Sequence, residues 1–414
     1  MKCLLEPLSR FFWSDMYHIE GSTAYFLPGT YNALFSLNLL TNYCKFLDKI
    51  PSENNFGFRM NSRCVKINNL VLCMPDRSNS MWVYCLDSKT FREIKIDNPD
   101  NVRLDFCKYY IYRDKLFIFS RGTQCIHEFD IRKQEFVRQY PFTLQKNEHI
   151  MNVLFIEGII WGVSNITGRI FSVNLDDMQR TEHELPGVSL KLRTICFDGT
   201  SFWLSGNKRE IYRWRKSDSK LWIMSDFPRD FGFYSSNKRN NVDIDSTEYT
   251  SQTFIESCYV NRKVWFIPYQ TNQILTVNTQ NNVIETYIMP EEEETSMEIY
   301  KRGMQHKYIL EYVRSNRYIG LFSLKNDCLL EIDTMNNNTV YKKISFDVNS
   351  VCSNGILRRE KGFKLMFDEN NFYNDVFCAD MAWCIFNGAS DVNVSKLQNL
   401  SDTIGERLYD IMIA

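Results

Sequence analysis

Seven similar units of hydrophobic and polar positions follow one another along the chain. Each unit has a short apolar run, a polar turn and an alternating run that ends in a polar residue. Those end positions are Asn38, Asp87, Asp130, Asn174, Arg215, Asn278 and Asp333. Six of the seven are Asp or Asn, whose side chains bond to the backbone two residues further on and start tight turns. The pattern therefore predicts a β-hairpin after each alternating strand.

The spacing of the units indicates the fold. Successive end positions lie 41 to 63 residues apart, and a further apolar run precedes each unit, as at Tyr109–Tyr112 and Tyr308–Tyr312. Repeats of about 40–50 residues with four strands each are typical of β-propellers. We predict an all-β chain with a seven-bladed β-propeller over residues 11–347. A β-sandwich or two stacked β domains is the alternative, and seven units with one shared signature argue against it.

The repeat resembles kelch-like and other divergent propeller repeats. The resemblance rests on the unit architecture over roughly residues 11–347, because the Gly-Gly doublet of kelch repeats and the Trp-Asp ending of WD40 repeats are both absent. It implies the propeller fold, and no functional residue is carried over with it.

Two segments follow the repeats. Residues 348–374 contain hairpin-like runs at 356–358 and 363–367, which predict ring-closing strands or a partial extra blade. Closure by direct packing of the seventh blade on the first is the other possibility. Residues 375–414 step through apolar positions every three or four residues, as at Leu397, Leu400 and Ile404, which predicts a C-terminal amphipathic helical tail.

The strand directions place a candidate binding surface. In a four-stranded meander, the loops between the second and third strands and the connections between blades emerge at the same face. The two longest insertions, 228–252 and 291–304, are both connections between blades, and long loops on a rigid scaffold are where function concentrates. Aromatic and basic side chains of the kinds found in binding hot spots occur on this face. The candidate binding residues are Tyr31, Arg77, Arg121, Lys208, Arg229, Phe231, Tyr234, Arg239, Tyr269, Gln270 and Asn272.

Composition excludes several classes of protein. The chain of 414 residues has 49 Lys and Arg against 50 Asp and Glu, a net charge of −1, so it lacks the basic footprint of a nucleic-acid-binding protein. We see no secretory signal and no apolar run long enough to cross a membrane, and expect no membrane association. Thirteen cysteines without a CxxC motif, most of them in apolar runs, indicate buried thiols in a reducing, cytoplasmic compartment.

Local catalytic motifs are absent from the sequence. No HExxH, GxSxG, P-loop or GxGxxG is present, and the histidines have no metal-ligand spacing, so we expect no metal or cofactor. These absences favour a non-catalytic scaffold that binds a protein or peptide. The alternatives are a lyase- or hydrolase-type propeller enzyme with its site at the mouth of the central channel, or a carbohydrate or small-ligand binding protein. The enzyme would draw on scattered acid–base groups: His149, His306, Asp243, Asp245 and residues 291–294.

Overall fold

A computed structural model gives the architecture of the chain. It describes residue 14 and residues 16–346, apart from 29–31, 52–59, 143, 147, 166–167, 189–190, 207, 229–230, 232–253, 269–272, 290–307, 324–327 and 343. The predicted tail, 375–414, and the segment 348–374 lie outside the described residues.

The predicted seven-bladed propeller is confirmed: seven antiparallel sheets follow one another, with no helix among the described residues. Blade 1 comprises β1 (His18–Glu20), β2 (Thr23–Phe26), β3 (Ala33–Asn38) and β4 (Tyr43–Lys49). Blade 2 comprises β5 (Asn61–Ile67), β6 (Leu70–Pro75), β7 (Ser80–Cys85) and β8 (Thr90–Lys95). Blade 3 comprises β9 (Phe106–Tyr112), β10 (Lys115–Ser120), β11 (Cys125–Asp130) and β12 (Glu135–Pro141). Blade 4 comprises β13 (Ile150–Ile156), β14 (Ile159–Ser164), β15 (Arg169–Asn174) and β16 (Arg180–Glu184).

The remaining strands complete the ring. Blade 5 comprises β17 (Leu192–Phe197), β18 (Phe202–Gly206), β19 (Ile211–Arg215) and β20 (Lys220–Met224). Blade 6 comprises β21 (Phe254–Val260), β22 (Lys263–Pro268), β23 (Gln273–Asn278) and β24 (Ile284–Ile288). Blade 7 comprises β25 (Tyr308–Arg314), β26 (Tyr318–Ser323), β27 (Cys328–Asp333) and β28 (Asn338–Lys342), and β29 (Ser345–Phe346) follows it.

The core is divided among the interfaces between blades. Each of the seven interfaces, including the one between blades 7 and 1, has its own cluster of buried apolar side chains. The second strands are buried almost throughout, whereas outer strands such as β8 and β12 are largely exposed. A second strand packs on a neighbouring blade at both faces, so its sequence is a continuous apolar run rather than an alternating one. This explains why those runs were the clearest feature of the sequence.

The ring closes by contacts from both ends of the repeat region. The Tyr17 N–H, just before β1, donates to the Glu311 carbonyl of blade 7 at 2.8 Å. After blade 7 the chain crosses to the outer edge of blade 1, where β29 pairs in parallel with β4 and Ser345 N–H donates to the Asn42 carbonyl at 2.9 Å. Blade 7 therefore packs directly on blade 1, with one short added strand. The runs at 356–358 and 363–367 lie outside the described residues.

The predicted hairpin turns are present, with one shift in position. Six of the third strands end at the predicted residue. The side-chain oxygens of Asn38, Asp130, Asn174, Asn278 and Asp333 each accept a bond from the N–H two residues on, at 2.9 to 3.1 Å. In blade 2 the strand ends at Cys85, so the choice of Asp87 was wrong by two residues. The Ser88 hydroxyl, at the same turn, lowers the pKa of the Cys85 thiol.

Candidate functional site

One end of the propeller, which we call the mouth face, carries the loops between second and third strands and the connections between blades. Every inner strand begins at this face, because each connection leads into the first strand of the next blade. The two long insertions join β20 to β21 and β24 to β25 and so belong to the same face. The opposite face carries the tight hairpins that join first to second and third to fourth strands.

A β-bulge recurs near the start of five inner strands. In blades 2 to 6, the pairing of first and second strands skips one residue of the inner strand after its first paired residue. A bulge redirects the side chain that follows it. The residues directly after the five bulges are all polar or charged, and we call this set the mouth ring. Its members are Arg63, Lys108, Asn152, Thr194 and Glu256.

Charged members of the mouth ring meet across the channel. Lys108 of blade 3 and Glu256 of blade 6 form an ion pair, with Lys108 Nζ 3.4 Å from Glu256 Oε2. Asn152 of blade 4 donates from its side-chain amide to Glu256 Oε1 at 2.8 Å. Burial alone would raise the pKa of Glu256, but Lys108, the Asn152 amide and Arg63 together lower it below the usual 4.5. The carboxylate is therefore held in its charged form inside the channel.

Arg63 is the third charged member of the mouth ring, and it is buried with little hydrogen bonding. Its residue is 8% exposed. Its Nη1 lies 3.4 Å from the sulfur of Met16, and its Nε has no hydrogen-bond partner. Thr194 differs from the others, since its hydroxyl shares a 2.7 Å hydrogen bond with that of Ser205 within blade 5.

Two further arginines lie at the mouth face beside blades 2 and 3. Arg103 pairs through two nitrogens with the fully buried Asp76, with Nη2 2.9 Å from Oδ2. Arg121 donates from Nε to Asp105 Oδ2 at 2.8 Å, and its side chain remains 32% exposed. Burial raises the pKa of the nearby Cys107 thiol to about 11, against opposing contributions from Arg121, Arg63 and Lys108. The fields of these three cations thus converge near the start of β9.

The structure places four of the eleven predicted binding residues. Arg77, Arg121 and Lys208 lie in loops of the mouth face and are half-buried. Phe231 is 3% exposed and packs edge-on to Phe227 at 5.9 Å between ring centroids, so its ring belongs to the interface of blades 5 and 6. The other seven lie outside the described residues: Tyr31, Arg229, Tyr234, Arg239, Tyr269, Gln270 and Asn272.

One of the acid–base candidates, His149, lies among the described residues. His149 is exposed in the connection before blade 4, where its backbone N–H donates to Asn165 Oδ1 at 2.7 Å. His127 is fully buried against Phe106 in blade 3, as expected for a packing role. Candidates 243, 245, 291–294 and 306 lie outside the described residues. Within the part of the chain that the structure describes, no group of three or more His, Cys, Asp or Glu is placed to hold a metal ion, and no helix is long and apolar enough to span a membrane.

The mouth ring was not predicted from the sequence, although the sequence carries a signal for it. Each ring residue is a polar side chain two positions after the start of an inner strand, and the interruption is clearest where the flanking residues are apolar, as in Ile150-Met151-Asn152 and Phe106-Cys107-Lys108. The interruption recurs in five blades. Aligning the first strands with one another, rather than the third strands alone, would have revealed it.

No family model and no curated protein matches the chain, but several solved structures are similar to it. Virginiamycin B lyase from Staphylococcus aureus is similar at 13% identity and a TM-score of 0.52, over 74% of this chain and 90% of that one. A catalytically inactive virginiamycin B lyase from the same organism with quinupristin matches at 13% identity and a TM-score of 0.51, over 76% and 92%. BamB from Moraxella catarrhalis matches at 11% identity and a TM-score of 0.48, over 79% and 83%. The likeness to the two lyase structures shows that the chain shares the propeller fold.

Proposed function

We propose that the protein is a non-catalytic propeller scaffold that holds a protein or peptide partner at its mouth face. The observation that carries the proposal is the mouth ring: five blades place a polar or charged side chain at the same inner-strand position. Burying such groups is costly and adds little to packing. A position that is polar in five blades is therefore better explained by recognition than by stability.

The surroundings of the ring support a macromolecular ligand. Two insertions of the chain lead from this face, and the first is anchored where it leaves blade 5. There, Arg209 Nη2 donates to the Pro228 carbonyl at 2.9 Å, and the Phe231 N–H donates to the same carbonyl at 3.0 Å. Long loops on a rigid scaffold are where binding residues concentrate, and this insertion leaves blade 5 from a fixed point.

The kelch-like character of the repeat and a cytoplasmic location belong to the same proposal. The four-stranded blades with Asx hairpins support the first. The nine cysteines in the described ranges all carry free thiols, which is what a reducing compartment would maintain.

The test compares partner capture by matched variants. Residues 232–252 are replaced by a short Gly-Ser linker, a change that keeps Phe231 because its ring fills the core. A second variant, Arg121→Glu, reverses a charge at the mouth face. The control, Arg132→Glu, alters a side chain that is 79% exposed in a hairpin of the opposite face. Tagged proteins are incubated with native lysate, and captured proteins are identified by mass spectrometry and then purified for titration.

The expected result is a partner bound by the parent protein and by Arg132→Glu, but lost or weakened in both mouth-face variants. A partner indifferent to both mouth-face changes would contradict the proposal. Capture of nothing, together with turnover or binding of a small molecule by the purified protein, would favour the enzyme or small-ligand alternative instead.

A further inference from the structure

Arg63 is a buried cation with no anionic partner among the described residues. Its residue is 92% buried, and within that part of the chain its one hydrogen-bond contact is between Nη1 and the Met16 sulfur. Among the residues that the structure describes, no carboxylate forms an ion pair with its guanidinium. A thioether is a weak acceptor, and a guanidinium carries five N–H donors. Most of the hydrogen-bonding capacity of this side chain is therefore unused.

The nearest carboxylate of the ring does not meet this need. Glu256 has both oxygens engaged, one by Lys108 Nζ and the other by the Asn152 amide. Arg63 acts on it only through its field. Glu311, a buried carboxylate of the inner strand of blade 7, accepts the Ser14 N–H at 3.0 Å. Within the ring, two cations thus share one carboxylate, and that carboxylate is already engaged by Lys108 and Asn152.

Part of the ring contacts solvent. The side chains of Lys108 and Glu256 remain 18% and 20% exposed. Arg121, also part exposed, lies on the same side of the mouth.

We propose that the mouth ring binds a carboxylate of the partner, an Asp or Glu side chain, which pairs with Arg63 beside Lys108. The guanidinium offers two parallel N–H donors that match the two oxygens of a carboxylate, and such bidentate pairs are the strong ones in a desolvated site. The ligand would neutralise a cation that is otherwise buried alone. This inference rests on the proposed function, since it names the recognition chemistry of the same peptide site.

An oriented peptide library tests the proposal on the full chain. The probes are degenerate 12-residue peptides with one central position fixed as Asp, Glu, Asn, Gln, Lys or phosphoserine. We expect enrichment of Asp or Glu over Asn or Gln by about tenfold or more, because a charge-assisted hydrogen bond contributes about 1.5–3 kcal/mol. Arg63→Met should abolish this preference, Arg63→Lys should retain part of it, and Arg132→Met, on the opposite face, should keep all of it.

Folding of the variants is checked by thermal unfolding. Arg63→Met is expected to melt no lower than the parent protein, because it removes an unpaired buried charge. If it does not fold, Arg63→Lys provides the test: a reduced preference supports the carboxylate site, and an unchanged preference overturns it. A preference that survives Arg63→Met, or one for phosphoserine over Asp and Glu, would overturn the carboxylate site.

The same experiment separates the two proposals. Peptides that bind without any preference for an acidic residue would defeat the carboxylate site and leave the scaffold function standing. Binding of no peptide at all, with no partner captured from lysate, would count against both.

Discussion

The ion pair across the channel can be tested by removing its cation. Lys108→Met keeps most of the aliphatic stem and leaves the Glu256 carboxylate with the Asn152 amide and the more distant Arg63. At 3.4 Å, two unit charges attract by about 5 kcal/mol at an effective dielectric constant of about 20. Part of this offsets the desolvation of both groups, and removing one partner of a buried pair typically costs about 3–5 kcal/mol. We expect a loss of that size at neutral pH.

The pH dependence of the loss identifies its cause. In the parent protein the pKa of Glu256 is lowered, so its contribution to stability is present above its unfolded pKa and is lost as the pH falls through the lowered value. In Lys108→Met we expect burial to dominate and raise this pKa. The penalty is then present at neutral pH and relieved as the carboxylate takes up a proton. The difference between the two proteins should shrink steadily from pH 7 towards pH 4.

The measurement is urea unfolding followed by tryptophan fluorescence, arranged as a double-mutant cycle with Glu256→Gln. The double variant removes both charges and should regain all but about 1 kcal/mol of the parent stability, since uncharged replacements of buried pairs are often nearly neutral. A cost below about 1 kcal/mol for Lys108→Met, or a cost that does not change with pH, would show that the pair is hydrated and that the ring is not a desolvated site.

Three other predictions concern side chains away from the ring. Burial lowers the pKa of His127 to about 4, so the free energy of unfolding should fall by about 3 kcal/mol as the pH drops from about 6.5 to 4. His127→Leu should remove this fall from a plot of unfolding free energy against pH. An unchanged plot in the variant would contradict the prediction. A Cβ at Gly320 would overlap the buried side chain of Tyr312. Gly320→Ala should therefore lower the free energy of unfolding in urea by about 1–3 kcal/mol. No change would mean that the Tyr312 side chain can move aside. Hydrogen bonds from Ser88 lower the pKa of the Cys85 thiol, whereas burial raises the pKa of the Cys64 thiol. Alkylation of the native protein, followed by peptide mass spectrometry, should therefore label Cys85 well before Cys64. Equal labelling rates would refute the prediction.

The blades could be predicted because their signals are local. An Asx residue starts its turn through its own backbone, and a second strand packed on both faces must be apolar over its whole length, so both features can be recognised within a few residues. The misplaced turn in blade 2 has a local reason as well. There the strand ends at Cys85 instead of an Asp or Asn, and Asp87, two residues later, matched the pattern of the other blades.

The site was harder to predict because it depends on the ring as a whole. Lys108 and Glu256 are 148 residues apart and lie on blades 3 and 6. They meet only because seven blades of the right width bring all inner strands to one axis. The burial of Phe231 was missed for a related reason: its ring fills a gap between two blades whose separation no local pattern gives.

The bulges of the inner strands separate the shape of the protein from its specificity. Each of these bulges is followed by a polar side chain, and those of Lys108, Asn152 and Glu256 meet at the axis. Exchanges at these positions would alter the charge and polarity of the opening, at a cost in stability that depends on how the remaining buried charges are paired. Related chains could therefore diverge in what they recognise while their architecture stays constant, and a designer could change the ligand preference of this scaffold with a five-position library.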